Sequence, residues 1–101
     1  MIQFKMLDPR MTMEHLGLIP MFLSPNDPRP AREQFNEFYV SGWTPFKGFT
    51  LLPSNVLTYP GDPPTKPLAE TKLRDELIVF YEHSWVAIIQ PDRSFEVCRM
   101  D

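Results

Sequence analysis

His83, Ser84 and Asp92 are the residue types of a nucleophilic triad, and they lie close together in the sequence. A hydroxyl nucleophile needs an imidazole within hydrogen-bond reach and a carboxylate behind that imidazole. If residues 85–90 form a strand, its rise of roughly 3.3 Å per residue sets His83 and Asp92 about 16 to 20 Å apart, at opposite ends. A triad is therefore not expected, and His83-Ser84 and Pro91-Asp92 read as turn residues. Cys98 and His83 are a second pair to weigh. If one hairpin pairs Glu82 with Trp85 and the next pairs Gln90 with Ser94, Cys98 stands opposite Val86, a few residues from His83. A Cys–His dyad also needs a lowered thiol pKa, and the sequence near Cys98 has no cluster of positive charge to lower it. The expectation is a small thiol packed in an edge strand. A small enzyme with a polar pocket near His83 and Cys98 remains the alternative function.

Metal chemistry has little to build on. His15, His83 and Cys98 are the only soft ligands, and no two have the close spacing of a zinc site. Asp62, Glu70, Asp75 and Glu76 could supply oxygen ligands or a carboxylate pair, but charges beside proline-rich loops read first as solvated. No cofactor and no metal site is expected.

The richest binding chemistry is aromatic. The loop WTPFKGF supplies Trp43, Phe46 and Phe49, and Tyr59 follows shortly after. Large rigid rings, flanked by Lys47 and by prolines that limit the entropy lost on binding, are the material of interaction hot spots. The same rings could instead cover a face of the sheet that no other element reaches. Both readings stand, and ring exposure separates them.

The elements that would position these residues are led by LIVFYEHSWVAIIQPDRSFEVCRM, residues 77–100. Leu77 to Tyr81 and Trp85 to Ile89 are short runs rich in β-branched and aromatic side chains, which predicts strands. Apolar residues occupy both alternating sets, so both faces must be at least partly covered. Val86 and Ile88 should share one face, with Trp85, Ala87 and Ile89 on the other. Phe95 to Met100 has polar Glu96 and Arg99, as suits an edge strand. The three runs predict an antiparallel meander.

Upstream, Ala31, Phe35, Phe38 and Tyr39 form one helical stripe, with Arg32, Glu33, Asn36 and Glu37 on the polar side. Asp27 or the prolines after it can start this helix, and Ser41-Gly42 can end it. Thr12 is a plausible cap for a short helix through Leu16, and residues 18–23 are apolar without a period. Ile2, Phe4 and Met6 alternate with Gln3 and Lys5, as in a short edge strand or a docked arm. Thr50 to Leu52 and Val56 to Tyr59 flank Pro53-Ser54-Asn55, a three-residue hairpin connection. PGDPPTKP, residues 60–67, is a semi-rigid crossing segment. Residues 67–76 are ambiguous: Ala69 and Leu73 sit at i, i+4, while Ala69, Thr71 and Leu73 also alternate. The charges around them favour a helical turn. The expected fold is one α+β domain, with an antiparallel sheet of about four to five strands and the main helix on one face.

At 101 residues the chain can bury a core without a staple. The lone Cys98 excludes an internal disulfide and suits a reducing compartment, so the cytoplasm is expected. The N-terminus lacks a long apolar run, and Gly17 and Pro20 interrupt the Leu16 to Leu23 segment, so neither a signal peptide nor a membrane span is expected. Ten basic and 13 acidic residues, the basic ones scattered, give a net charge of −3 and argue against a nucleic-acid surface. A protein partner is the expectation.

Taken together, DPRMTMEHLGLIPMFLS, DPRPAREQFNEFY, GWTPFKGF, YPGDPPTKPLAE and HSWVAIIQPDRSFEVCRMD resemble a group of short uncharacterised proteins encoded by bacteriophages and prophages. The resemblance covers nearly the whole chain. It implies a phage-related setting in a bacterial host cytoplasm, and brings no activity or catalytic residues with it. The expected role is a non-enzymatic protein-interaction module, an accessory factor acting on a host or phage protein. Trp43, Phe46, Lys47, Phe49 and Tyr59 are its candidate contact residues.

Overall fold

The apolar runs of the C-terminal third pair with one another because each satisfies the other's backbone groups while burying β-branched side chains on both sides. The computed structural model describes residues 3–10, 23–38 and 44–99. Strands β4 (Pro67–Leu73), β5 (Glu76–Tyr81), β6 (Trp85–Ile89) and β7 (Phe95–Arg99) follow one another in an antiparallel sheet. Strand β1 (Lys5–Met6) joins on the outer side of β4, giving the order β1-β4-β5-β6-β7. Helix α1 (Ala31–Phe38) packs on one face. The hairpin of β2 (Thr50–Leu51) and β3 (Leu57–Thr58) lies over the other.

The two-faced meander is as the alternation predicts. Ile78, Phe80, Val86, Ile88 and Cys98 pack with Ala31, Phe35 and Leu23 on the helix face. Val79, Tyr81, Ala87, Ile89 and Val97 pack with Leu57 on the hairpin face, joined by Phe49, Leu51, Trp85 and Phe95. The second hairpin has the expected register, with Val86 opposite Cys98 and the Gln90 N–H donating to the Ser94 carbonyl at 2.8 Å. The first differs by one residue. Phe80 faces Val86, so the connection is the three-residue Glu82–Ser84, with His83 and Ser84 at φ of 62° and 68°. The added residue keeps Phe80 and Val86 on the same face, whereas a two-residue loop would have opposed side chains of unlike faces.

Residues 67–73 form a strand, correcting the expected helical turn. Pro67 sits at the strand's start, where a missing N–H is tolerated, and Leu73 pairs with Glu76 across a tight turn with Arg74 at φ 54°. Ala69, Thr71 and Leu73 are buried on the helix side, while Lys72 is exposed and Glu70 half-exposed on the other. The hairpin layer covers β5 to β7 and stops short of β4. That is why β4 alternates and its neighbours do not.

Prolines start α1: the Pro30 carbonyl accepts from Glu33 and Gln34, and the Ala31 N–H donates to Glu76 Oε1 at 2.9 Å. Ala31 and Phe35 fill the buried stripe, and Gln34, fully buried beside them, holds the preceding loop. Tyr39, the side chain of Phe38, the Ser41-Gly42 stop and the short Thr12 helix all lie outside the described residues.

Candidate functional site

Trp85 opens β6 on the hairpin face, and antiparallel pairing sets Arg99 opposite it at the end of β7. The Arg99 guanidinium lies 5.3 Å from the Trp85 ring centroid, a cation–π distance. β7 is the sheet's last strand, so its outer side would leave backbone groups unpaired. There Phe46 adds one rung, its N–H donating to the Val97 carbonyl at 2.7 Å. This rung places the Phe46 ring edge-on to Trp85, centroids 4.9 Å apart and planes at 90°. Phe49 meets Trp85 at 5.0 Å and Tyr59 at 4.9 Å. These edge-on and tilted arrangements follow the ring quadrupoles.

Between Phe46 and Phe49 the chain bends at Lys47 and Gly48. Gly48 has φ 98°, and a Cβ there would come within 2.8 Å of the Tyr59 ring. Glycine is thus required twice, by the backbone and by the ring lying against it. The product is a contiguous platform of four rings. Phe49 and Trp85 are half-buried; Phe46 and Tyr59 keep 48% and 41% of their surface exposed. Lys47 is exposed beside them.

Of the residues singled out in the sequence, Phe46, Phe49 and Tyr59 come together, Lys47 borders them, and Trp43 lies outside the described residues. The choice between core and contact surface divides within the loop: Phe49 packs on the hairpin-face core and Phe46 stands out. Trp85 and Arg99 were missed as members of the cluster. The signal was present, because a register pairing Cys98 with Val86 also pairs Arg99 with Trp85.

The other chemical candidates fall apart in space. Ser94 donates both its N–H and its hydroxyl to Asp92 within the β6–β7 turn, whereas His83 and Ser84 sit in the turn at the opposite end of β6. Cys98 is 1% exposed inside the helix-face core, and burial, with Glu96 acting in the same direction, pushes its thiol up to about 12. His83 is exposed in its loop. Among the described residues, no cleft brings His83 and Cys98 together.

Two clefts are lined by neither residue. The first, about 380 Å³, lies between the start of α1 and the β6–β7 turn. Its polar groups are already engaged: Arg32 pairs with Glu96 at 3.0 Å, and Glu76 accepts from Ala31 and from the Gln90 amide. The second, about 450 Å³, lies between the 7–10 turn and residues 64–68, where Asp8 is bound to Arg10. Among the described residues no three His, Cys, Asp or Glu side chains converge as a metal site would need, and no helix is long and apolar enough to cross a membrane. In comparisons with known proteins, no family model, no curated protein and no solved structure matches this chain.

Proposed function

We propose that this chain is a non-enzymatic protein-interaction module whose contact surface is the platform of Phe46, Phe49, Tyr59 and Trp85, with Lys47 at its border. One observation carries the reading: Phe46 is almost half exposed although a backbone rung and an aromatic contact hold it in place. An anchor ring ordered before binding loses little conformational entropy when a partner covers it. Its exposed apolar surface yields roughly 25 cal/mol per Å² on burial. The resemblance to phage and prophage proteins would make the partner a host or phage protein in a bacterial cytoplasm.

The test compares wild type with Phe46→Ala in a pull-down from bacterial lysate, alongside melting curves of both. The expected result is a stoichiometric partner held by wild type, with about 2 kcal/mol or more of binding lost in the variant. Stability should fall by less than about 1 kcal/mol, because the ring is only half buried. A variant that binds as wild type does would remove the platform as the contact surface.

A further inference from the structure

We propose that residues 49–65, the layer carrying β2 and β3, form a detachable cover that lifts from the sheet as one unit while β4 to β7 and α1 stay folded, with the Tyr81 hydroxyl and the Arg93 guanidinium as its latch. The layer is knit to itself by backbone. Thr50 and Leu51 pair with Thr58 and Leu57, the Leu52 N–H donates to the Val56 carbonyl, and Leu57 and Thr65 each donate an N–H to the other's carbonyl on the other side of β3. Toward the main sheet the pattern reverses. Among the described residues no backbone-to-backbone hydrogen bond joins residues 49–65 to β4–β7, whereas those strands are joined to one another by ladders. The hydrogen bonds that do cross come from two side chains: Tyr81 donates its hydroxyl to the Asn55 carbonyl at 2.7 Å, and Arg93 donates to Asn55 Oδ1 at 2.8 Å and to the Leu52 carbonyl at 3.5 Å.

Burial is unequal as well. Leu57 is the layer's one fully buried apolar side chain, with Phe49 and Leu51 half-buried beside it, whereas the opposite face is covered by Leu23, Ala31 and Phe35, all buried. When the layer lifts, β5 to β7 keep those helix-face contacts, and an antiparallel sheet holds its ladders with one face in water. A two-stranded hairpin is marginal in water by itself, so the lifted layer loses its own ladder and its amides open together. Lifting also parts Phe49, and Tyr59 with it, from Trp85, so a partner lying across the rings would hold the cover down. That consequence alone rests on the platform being a contact surface.

Native-state hydrogen exchange on the chain alone is the test, and its outcome does not depend on whether the rings bind anything. The amides of Leu52, Leu57 and Thr65 should open together, with protection about tenfold or more below that of the slowest amides of β5 and β6. Two variants locate the opening. Ile88→Val weakens the helix-face core, which stays intact when the layer lifts, and should speed exchange of the β5 and β6 amides roughly three- to tenfold while leaving the three layer amides unchanged. Tyr81→Phe keeps the ring but removes the latching hydroxyl, and should speed the layer amides roughly three- to tenfold. Layer amides protected as strongly as those of β5 and β6, or accelerated by Ile88→Val as those strands are, overturn the detachable cover. Layer amides indifferent to Tyr81→Phe overturn the latch.

Discussion

Two loops lie against the sheet and are held there by opposite means. Residues 24–30, leading into α1, are pinned by polar groups: Gln34 accepts from the Ser24 N–H and donates to the Ser24 and Arg29 carbonyls, and Arg74 donates to the carbonyls of Asp27 and Arg29. Asp27 closes on Arg29, which also reaches Glu37. Residues 44–49 are instead held by one backbone rung and a set of rings. Hydrogen bonds are consumed as they form, so the first loop has little left to offer a partner. Aromatic contacts use one edge or face of a ring and leave the rest in water. The difference is why the second loop is the better place to look for function.

The largest expected effect lies in the sheet core. Phe80 is fully buried on the helix face, its ring 5.6 Å from that of Phe4, so Phe80→Ala should cost about 3–5 kcal/mol in a denaturant titration. Next comes the polar loop. Gln34→Ala strands a buried cluster of backbone donors and acceptors and should cost about 1–3 kcal/mol, read from the same titration. A neutral Gln34→Ala would mean that the loop's hydrogen bonds are easily replaced by water, and the contrast between the loops would collapse.

On the aromatic side, Gly48→Ala forces a side chain to positive φ and pushes Tyr59 aside, and should cost about 1 kcal/mol. The sharper readout is tryptophan fluorescence, which should report the disturbed ring cluster. No change in either measurement would show that the ring cluster does not depend on glycine at position 48.

The smallest effect is in acid. The Arg29 side chain, then its backbone N–H, lowers the Asp27 carboxyl from 3.8 to about 2. A depressed folded pKa contributes stability that is present above the unfolded value and lost as pH falls through the folded one. The contribution should therefore fade between about pH 4 and pH 2, and Asp27→Asn should flatten the melting-temperature profile in that window. Because the pair is still reached by solvent, the change should be slight.

Much of the sheet was legible residue by residue. Period-2 burial on both faces of residues 85–89 dictated which side chains share a face, and the turn residues around Pro91 set the register that puts Cys98 opposite Val86. Residues 67–73 were not legible, because their local pattern fits two periods. Pairing with β5 and β1, contacts remote in sequence, overrode the local preference. The cap on α1 was hidden for the same reason, since Glu76 reaches Ala31 from another element.

For the candidate site, the sequence by itself determined the material: a run of rings, a glycine between two of them, and a lysine beside Phe46. It also determined that both faces of the meander required cover, since apolar side chains on alternate positions leave no wet side. Only the tertiary structure decided which rings serve as cover and which face outward. That outcome depends on where the β2–β3 layer ends over the sheet and on a single rung between Phe46 and Val97. Hydrophobicity ranks Phe46 and Phe49 alike. Their exposure differs because burial depends on the surface available nearby, which no local stretch of sequence specifies.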